Sequence, residues 1–324
     1  MKKLLYFVMV LPFAALAQNQ YNYGFSGTTA DMTAAGWVRT NQSTSPSTTL
    51  WTVASYAAVT VSATQTALPF STQAYTTGQS CPAPSGQAGG TNSFALVNYT
   101  STSSTATSGA TISNWLISPI ITVQNGDVIT FYSRIGKYSA TNAASYADNL
   151  QLRMSTNGGF TTDPTTGPAD TGDYSEVLVE INPNFNLTSY PATWTQYSYT
   201  VTGLDTPTEC KFAFRYYVTN GGLNGSNSDI IGIDTFSVDR PLATNDFFKG
   251  NFSVYPNPAT TVLTIANRNN LDITSAVITD VNGRVVNQTS GAVSQINIAD
   301  LTAGVYFLKV TTTQGVGTTR VVKN

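Results

Sequence analysis

Short runs in which apolar and polar residues alternate recur along most of the chain. In the run VITFYSRI, Ile129, Phe131 and Ile135 fall on one face. The run CKFAFRYYV alternates in the same way, with Lys211 and Arg215 predicted to point away from the core. A period of two residues is that of a β-strand with one buried face. No segment sustains a helical period, so the pattern predicts an all-β protein.

The spacing of these runs divides the chain into two parts. Residues 18–240 carry the longer runs, including LQLRMS and EVLVEI, in which Val177 is predicted to face inward. Long connections rich in Ser, Thr, Gly and Asn separate them, which favours two packed sheets. Residues 241–251 are predicted to be a linker. Residues 252–324 hold shorter runs with an Asn-Gly hairpin signal, and predict a compact immunoglobulin-like sandwich.

The N-terminus has the composition of an export signal. Lys2 and Lys3 precede an apolar run, and Ala15-Leu16-Ala17 has the small-residue pattern of a cleavage site. The apolar run is shorter than the roughly 20 residues that span a bilayer. The sequence therefore predicts a signal peptide over residues 1–17, cleavage between Ala17 and Gln18, and no transmembrane helix.

Charge and histidine content exclude several classes of function. The formal net charge is −2, and residues 40–126 contain no Asp, Glu, Lys or Arg. A nucleic-acid-binding protein would show clustered basic residues, so that class is excluded. The chain contains no histidine, which removes Ser-His-Asp and Cys-His catalysis and most transition-metal sites. Carboxylate chemistry and binding of hard cations remain open.

Cys81 and Cys210 are the two cysteines of the chain. Because an exported protein folds in an oxidising compartment, we predict that they form one disulfide across a long loop. The alternative is a pair of free, buried thiols.

An oxygen-rich segment, NGGLNGSNSDIIGID, is a candidate calcium site. Calcium takes six to eight oxygen ligands from carboxylates, amides and carbonyls. Asp229 and Asp234 of this segment, with Asp148 from before LQLRMS, are the candidate ligands. The alternative, which the composition favours, is a tight Gly/Asn turn with Asp234 hydrogen-bonded at a strand end. No catalytic residue and no other cofactor is predicted.

Two further features invite a carbohydrate-directed interpretation. Glu176 and Glu180 lie on one strand, roughly 13 Å apart at the rise of a β-strand, which exceeds the separation of about 5 to 9.5 Å in glycosidases. Asp173 could come closer to either. Trp37 and Trp51 have loop-like surroundings and could stack on sugars, although tryptophan is also a common core residue of β-sandwiches.

Four motifs near the C-terminus carry a resemblance to a known family: YPNPATTVLTIAN, ITDVNGRVV, DLTAGVYFLKV and GVGTTRVVKN. In order and spacing they resemble the type A sorting domain of the type IX secretion system, over residues 252–324. The matching positions are Tyr255, Pro256, Asn257, Pro258, Gly283, Gly304 and Tyr306.

The resemblance implies a route and a set of partners. The chain would reach the periplasm by its signal peptide and then cross the outer membrane through the type IX machinery. A sortase-like peptidase would remove the tail near Leu242 to Lys249 and join the cargo to a surface lipopolysaccharide. The expected location is the outer cell surface or the extracellular space.

The larger part also resembles a known family. The stretches DNLQLRMSTNGG, TGDYSEVLVEINP and YPATWTQYSYTVTGL, with a long match from Ser93, look like the choice-of-anchor J domain, related to cleaved-adhesin domains. The resemblance implies a jelly-roll sandwich of the galactose-binding-like kind. Several relatives are adhesive or carry structural calcium. Relatives often have an acidic residue directly after the phenylalanine of the first strand. In this chain Ser26 follows Phe25, which argues against a calcium site at that position.

These observations predict a secreted, surface-displayed, non-enzymatic binding or adhesion protein. It would recognise a glycan or a host or matrix protein through loops at one end of the sandwich. Two alternatives stay open: a carboxylate-dependent polysaccharide hydrolase using Asp173, Glu176 or Asp148, and a structural component of the surface or matrix without a specific ligand.

Overall fold

The computed structural model describes residues 18–71, 73–106, 109–137, 146–241, 245–313 and 315–324. The predicted signal peptide, with Ala17 of its cleavage site, lies outside these residues. The chain divides into two compact units, Asn19–Arg240 and Pro241–Asn324. Both consist of antiparallel sheets, so the predicted all-β fold is confirmed. None of the described helices has the length and apolar character that crossing a membrane requires.

Strands account for most of the regular secondary structure in the first unit. They are β1 (Gln18–Tyr23), β2 (Val38–Asn41), β3 (Thr52–Val53), β4 (Val59–Thr60), β5 (Ser80–Cys81), β6 (Ala95–Asn98), β7 (Ile112–Ile117), β8 (Ile121–Val123), β9 (Val128–Ile135), β10 (Leu150–Ser155), β11 (Glu176–Ile181), β12 (Thr195–Thr200), β13 (Thr208–Val218) and β14 (Ile230–Arg240). Helix α1 (Thr29–Ala34) begins at a capping box formed by Thr28 and Asp31. Two 3₁₀ turns cover Tyr99–Ser101 and Gly158–Phe160.

These strands form two main sheets. The first sheet has the order β12-β9-β14-β6-β3, with β1 also paired to β14. The second sheet has the order β11-β10-β13-β7-β2, with β8 also paired to β13. Strands β4 and β5 form a separate ribbon.

The core of the first unit lies between the two sheets. Phe131 of β9 meets Phe214 of β13 with ring centroids 5.0 Å apart, and Phe214 meets Phe236 of β14 at 5.6 Å. Ile129 and Ile135 are buried beside them, as the alternation predicted. Two apolar sheet faces that exclude water from each other make this unit a β-sandwich.

Two side-chain directions differ from the predicted pattern. Val177 is 39% exposed, because a register shift opposite Leu152 and Arg153 turns Leu178 toward the core instead. Arg215 points outward as predicted but is only 3% exposed. The connection between β10 and β11 covers it.

The second unit is a smaller sandwich. Its elements are helix α2 (Asn245–Asn251) and strands β15 (Phe252–Tyr255), β16 (Val262–Asn267), β17 (Ile273–Thr279), β18 (Val285–Ser290), β19 (Gln295–Asn297), β20 (Gly304–Thr312) and β21 (Val316–Lys323). The sheets β15-β16-β19 and β18-β17-β20-β21 enclose one apolar core.

The predicted linker over residues 241–251 needs correction for its second half. Residues Asn245–Asn251 form α2, and the side chain of Phe248 is buried in the core of the second unit. The sequence pattern could not show this, because a seven-residue helix is too short to display a clear period.

Candidate functional site

Strand register gathers several polar connections at one end of the first unit. Leu150, the first residue of β10, pairs with both Ile181 and Tyr216, and Val218 pairs with Ile112. The start of β10, the ends of β11 and β13 and the start of β7 therefore lie together. We call the surface formed by the adjoining connections the loop end, which comprises the described residues among 99–111, 146–149, 182–190 and 219–229.

Backbone and amide hydrogen bonds join the connections of the loop end to one another. Gly221 N donates to Ala110 O at 2.8 Å, and Asn224 Nδ2 donates to Ala106 O at 2.8 Å. Ser228 N donates to Ala147 O, also at 2.8 Å. These hydrogen bonds restrain the 219–229 connection against the described parts of the 99–111 and 146–149 connections.

Asp148 is the centre of this network. Its side chain is 1% exposed, and Oδ1 accepts hydrogen bonds from the Tyr216 hydroxyl at 2.5 Å and from Asp229 N at 2.8 Å. Its backbone carbonyl accepts a bond from Asn182 Nδ2 at 2.8 Å. Asp148 Oδ2 has no hydrogen-bond partner among the described residues. One residue therefore ties β13 and two connections together.

Burial controls the protonation of these carboxyl groups. Burial raises the pKa of Asp148 to about 7, although the hydrogen bonds from Tyr216 and Asp229 act in the opposite direction. Burial also raises the pKa of Asp229 to about 6. A proton on Asp148 removes the charge that burial penalises, so this group can be neutral at physiological pH.

Asp234 lies elsewhere, so the three predicted calcium ligands do not meet. Asp229 and Asp234 are five residues apart along the chain, about 16 Å at the rise of a β-strand. Asp234 Oδ2 accepts bonds from Gln87 N at 2.6 Å and Ala88 N at 3.1 Å, and burial raises its pKa to about 6. In the described ranges, no group of three or more His, Cys, Asp or Glu side chains could hold a metal ion. The predicted set of Asp148, Asp229 and Asp234 is therefore wrong as one site.

The asparagines of the same segment hold its turn together. Asn220 Nδ2 donates to Ser226 Oγ at 2.6 Å, and Asn227 Nδ2 donates to Thr219 O at 3.0 Å. Gly222 has φ +86°, and a Cβ there would lie 2.0 Å from Thr102 Oγ1. The segment is thus a tight Gly/Asn turn, the alternative that its composition favoured.

The predicted disulfide is not formed. Cys81 and Cys210 are both free and buried. Cys210 belongs to the main core of the first unit. Cys81 belongs to a separate cluster, where its sulfur accepts a hydrogen bond from Leu68 N at 3.4 Å. Because the two cysteines lie in different apolar clusters, their sulfur atoms are not at the short distance that a disulfide requires. Burial also raises the pKa of the Cys210 thiol to about 11.

Three of the four tryptophans are core residues rather than sugar platforms, and the fourth, Trp194, is partly buried. Trp37, Trp51 and Trp115 are all buried. Trp51 Nε1 donates to Asn114 O at 3.1 Å, and Trp37 packs on Phe25 with ring centroids 5.1 Å apart. The interpretation of Trp37 and Trp51 as exposed stacking surfaces is wrong, because the loop-like segments around them fold over the core.

The acidic residues considered for hydrolysis are engaged in local hydrogen bonds. Glu180 Oε1 accepts from Gln151 Nε2 at 2.8 Å, and Glu176 Oε1 accepts from the Tyr199 hydroxyl at 3.3 Å. Asp173 Oδ2 accepts from Thr162 N at 2.7 Å, and this backbone bond lowers the pKa of Asp173. Each carboxylate thus has an identifiable structural partner.

A pair of buried arginines on the second sheet was not anticipated from the sequence. Gln151 Oε1 accepts from Arg153 Nε at 2.8 Å and from Arg215 Nη1 at 3.3 Å. Arg153 Nη1 donates to Tyr174 O at 2.7 Å, and Arg215 Nη2 donates to Pro168 O. Neither guanidinium forms an ion pair with a described carboxylate. Their N–H groups hold the connection between β10 and β11 on the sheet. In the sequence, this arrangement was indicated only by two outward-pointing arginines on adjacent strands.

The motif residues of the second unit occupy strand ends and turns. Asn257 acts as an extra strand residue, because Nδ2 donates to Arg320 O and Oδ1 accepts from Val322 N, both at 2.9 Å. Gly283 has φ +82° in the turn after β17. Tyr306 is buried, and its hydroxyl donates to Thr302 O at 2.9 Å.

Several solved structures are similar to the chain over its larger part. The K3 cleaved adhesin domain of Lys-gingipain from Porphyromonas gingivalis W83 has 14% identity and a TM-score of 0.38, over 68% of this chain and 99% of that chain. The K1 domain of the same protein has 14% identity and a TM-score of 0.35, over 68% and 97%. The adhesin domain of Epf from Streptococcus pyogenes has 9% identity and a TM-score of 0.34, over 71% and 75%. No curated protein matches the chain.

The C-terminal unit matches a protein family directly. Residues 253–324 match the family described as "Secretion system C-terminal sorting domain". This match confirms the resemblance found in the four C-terminal motifs and the predicted export. Residues 253–324 are a type IX secretion sorting domain, and the chain is one that is exported to the cell surface or the extracellular space.

Proposed function

We propose that the exported protein is a non-enzymatic binding or adhesion module of the cell surface, which recognises a glycan or a host or matrix protein through the loop end. The observation that carries this proposal is the set of hydrogen bonds through which Asp148 joins the connections of the loop end. A preorganised surface loses less conformational entropy on binding than a mobile one.

The loop end also offers apolar anchors among its polar side chains. Leu223 is 59% exposed and Leu187 is 48% exposed, each within a connection rich in Asn, Gly or Ser. Binding surfaces commonly place a few such anchors within a polar rim.

The non-enzymatic character of the module is part of the same proposal. It is supported by the absence of histidine from the sequence. The local hydrogen bonds of Glu176, Glu180 and Asp173 also support it. The resemblance to the choice-of-anchor J domain agrees with a binding role.

The test is a binding screen with the exported protein against immobilised glycans and matrix proteins, followed by matched variants. Leu223→Asp should weaken binding of any ligand found by about tenfold or more, the loss expected at an interface anchor. Phe160→Asp is the control. Phe160 is 94% exposed but follows the far end of β10, so binding should be unchanged.

Two outcomes would contradict the proposal. No binding to either library would remove the adhesion function. Loss of binding in Phe160→Asp with retention in Leu223→Asp would place the binding surface at the opposite end of the sandwich.

A further inference from the structure

Helix α2 lies directly before the residues that match the sorting family, yet it is packed into the same core. The match begins at residue 253, whereas α2 covers Asn245–Asn251. Phe248 is 3% exposed and packs on Phe252 with ring centroids 5.6 Å apart. Phe247 is half-buried against the same core.

Two glycines near the start of β21 make room for this helix. A Cβ at Gly315 would lie 2.7 Å from the Phe247 ring. A Cβ at Gly317 would lie 2.9 Å from Phe248 Cα, which is backbone and cannot rotate away. A larger residue at position 317 would push the helix off the strand, whereas one at position 315 would displace the Phe247 ring, so the close approach of the helix backbone depends on Gly317.

The end of α2 is held by hydrogen bonds as well. Arg268 N donates to Asn251 O at 2.9 Å, and Asn269 Nδ2 donates to Asn251 Oδ1 at 2.8 Å. Asn251 Nδ2 closes the last turn by donating to Phe247 O at 2.9 Å. The helix is thus fixed by its ring contacts on one side and by its C-terminal residue on the other.

We infer that the working sorting domain begins at Asn245 rather than at residue 253, with α2 an integral element seated on Gly315 and Gly317. Docking of α2 protects the peptide bonds from Phe247 to Phe252. A protease can cut there only after the helix has left the strand. The inference concerns the tail alone and stands independently of the ligand of the first unit.

The test compares one substitution at two positions in the full chain. Gly317→Ala introduces the clash with Phe248, whereas Gly250→Ala, within α2 itself, meets no atom within 4 Å. Chymotrypsin, which cleaves after aromatic residues, is the probe, and mass spectrometry maps the cuts. Cleavage after Phe247 or Phe248 should be at least about tenfold faster in Gly317→Ala, because local opening limits the rate. Gly250→Ala should match the natural protein.

The cleavage map also separates local undocking from unfolding of the tail. Cuts after Tyr306 or Phe307, within β20, would indicate that Gly317→Ala has unfolded the whole unit. Phe247→Ala then decides, since it removes a ring without a clash and should expose Phe248 while β20 stays intact. Equal and rapid cleavage after Phe248 in the natural protein and all variants would overturn the docking of α2.

Export by the producing cells tests whether docking matters for sorting. The amount of protein outside the cells should fall severalfold for Gly317→Ala and remain unchanged for Gly250→Ala. Equal export of both variants would show that α2 is not part of the working sorting domain.

Discussion

Replacing Asp148 by asparagine should make the first unit less sensitive to pH and more stable above neutrality. In the folded protein burial raises the pKa of Asp148 to about 7, whereas its ordinary value is 3.8. Between these values the unfolded chain has released the proton and the folded chain still holds it. The contribution of Asp148 to the free energy of unfolding therefore falls as pH rises from about 4 to about 7 and is constant above.

The size of the effect follows from the pKa difference. A difference of 3.8 to about 7 corresponds to about 4 kcal/mol, at about 1.4 kcal/mol for each pKa unit. Asparagine keeps one oxygen to accept the bonds from Tyr216 and Asp229, and carries no charge at any pH. Asp148→Asn should thus resemble the natural protein near pH 4 and exceed its stability by up to about 4 kcal/mol at pH 8.

Urea denaturation followed by tryptophan fluorescence at pH 4 to 8 measures this difference. All four tryptophans lie in the first unit, so the signal reports on that unit alone. A stability difference that stays constant within about 0.5 kcal/mol across the range would refute the reasoning. A natural protein more stable than Asp148→Asn at pH 8 would show that the charged form is favoured, as it would be beside a bound cation.

Two further substitutions probe other carboxylates of the first unit. Arg240→Ala should lower the free energy of unfolding by about 1 to 3 kcal/mol, because it leaves the buried Asp127 carboxylate without its ion pair at 2.8 Å. The partial exposure of Arg240 keeps this loss below that of a fully buried pair. An unchanged urea midpoint would contradict the prediction. Asp170→Asn should show the opposite pH dependence to Asp148→Asn. The backbone N–H groups of Gly172 and Thr165 lower the pKa of Asp170 to about 2, so its contribution is present above about pH 4 and is lost as pH falls toward 2. An equal loss at pH 2 and pH 7 would contradict that assignment.

The predicted strand faces were mostly correct where the alternation was regular. Ile129 and Phe131 are buried on one face as predicted, because residues two positions apart in a regular strand point to the same side of the sheet. Val177 was wrong because a register shift reverses the face locally, and no residue type marks that shift.

The predicted sites were less successful, because they required distances between remote segments. Asp148 and Asp229 do meet, but Asp234 lies further along β14 and binds another loop. Cys81 and Cys210 lie in separate clusters, although composition alone suggested a pair. The central role of Asp148 depends on register between three strands and could not be read from the chain.

The sequence alone determined the properties that depend on local order and composition. The alternation of residues specified strands, the lack of histidine excluded whole classes of chemistry, and the C-terminal motifs marked the chain for export. Tertiary structure decided which polar groups are buried, which loops lie at the same end of the first sandwich, and which strand α2 packs against. Those outcomes depend on contacts between residues far apart in the chain, and the free energy of such contacts exists only once the sheets have packed.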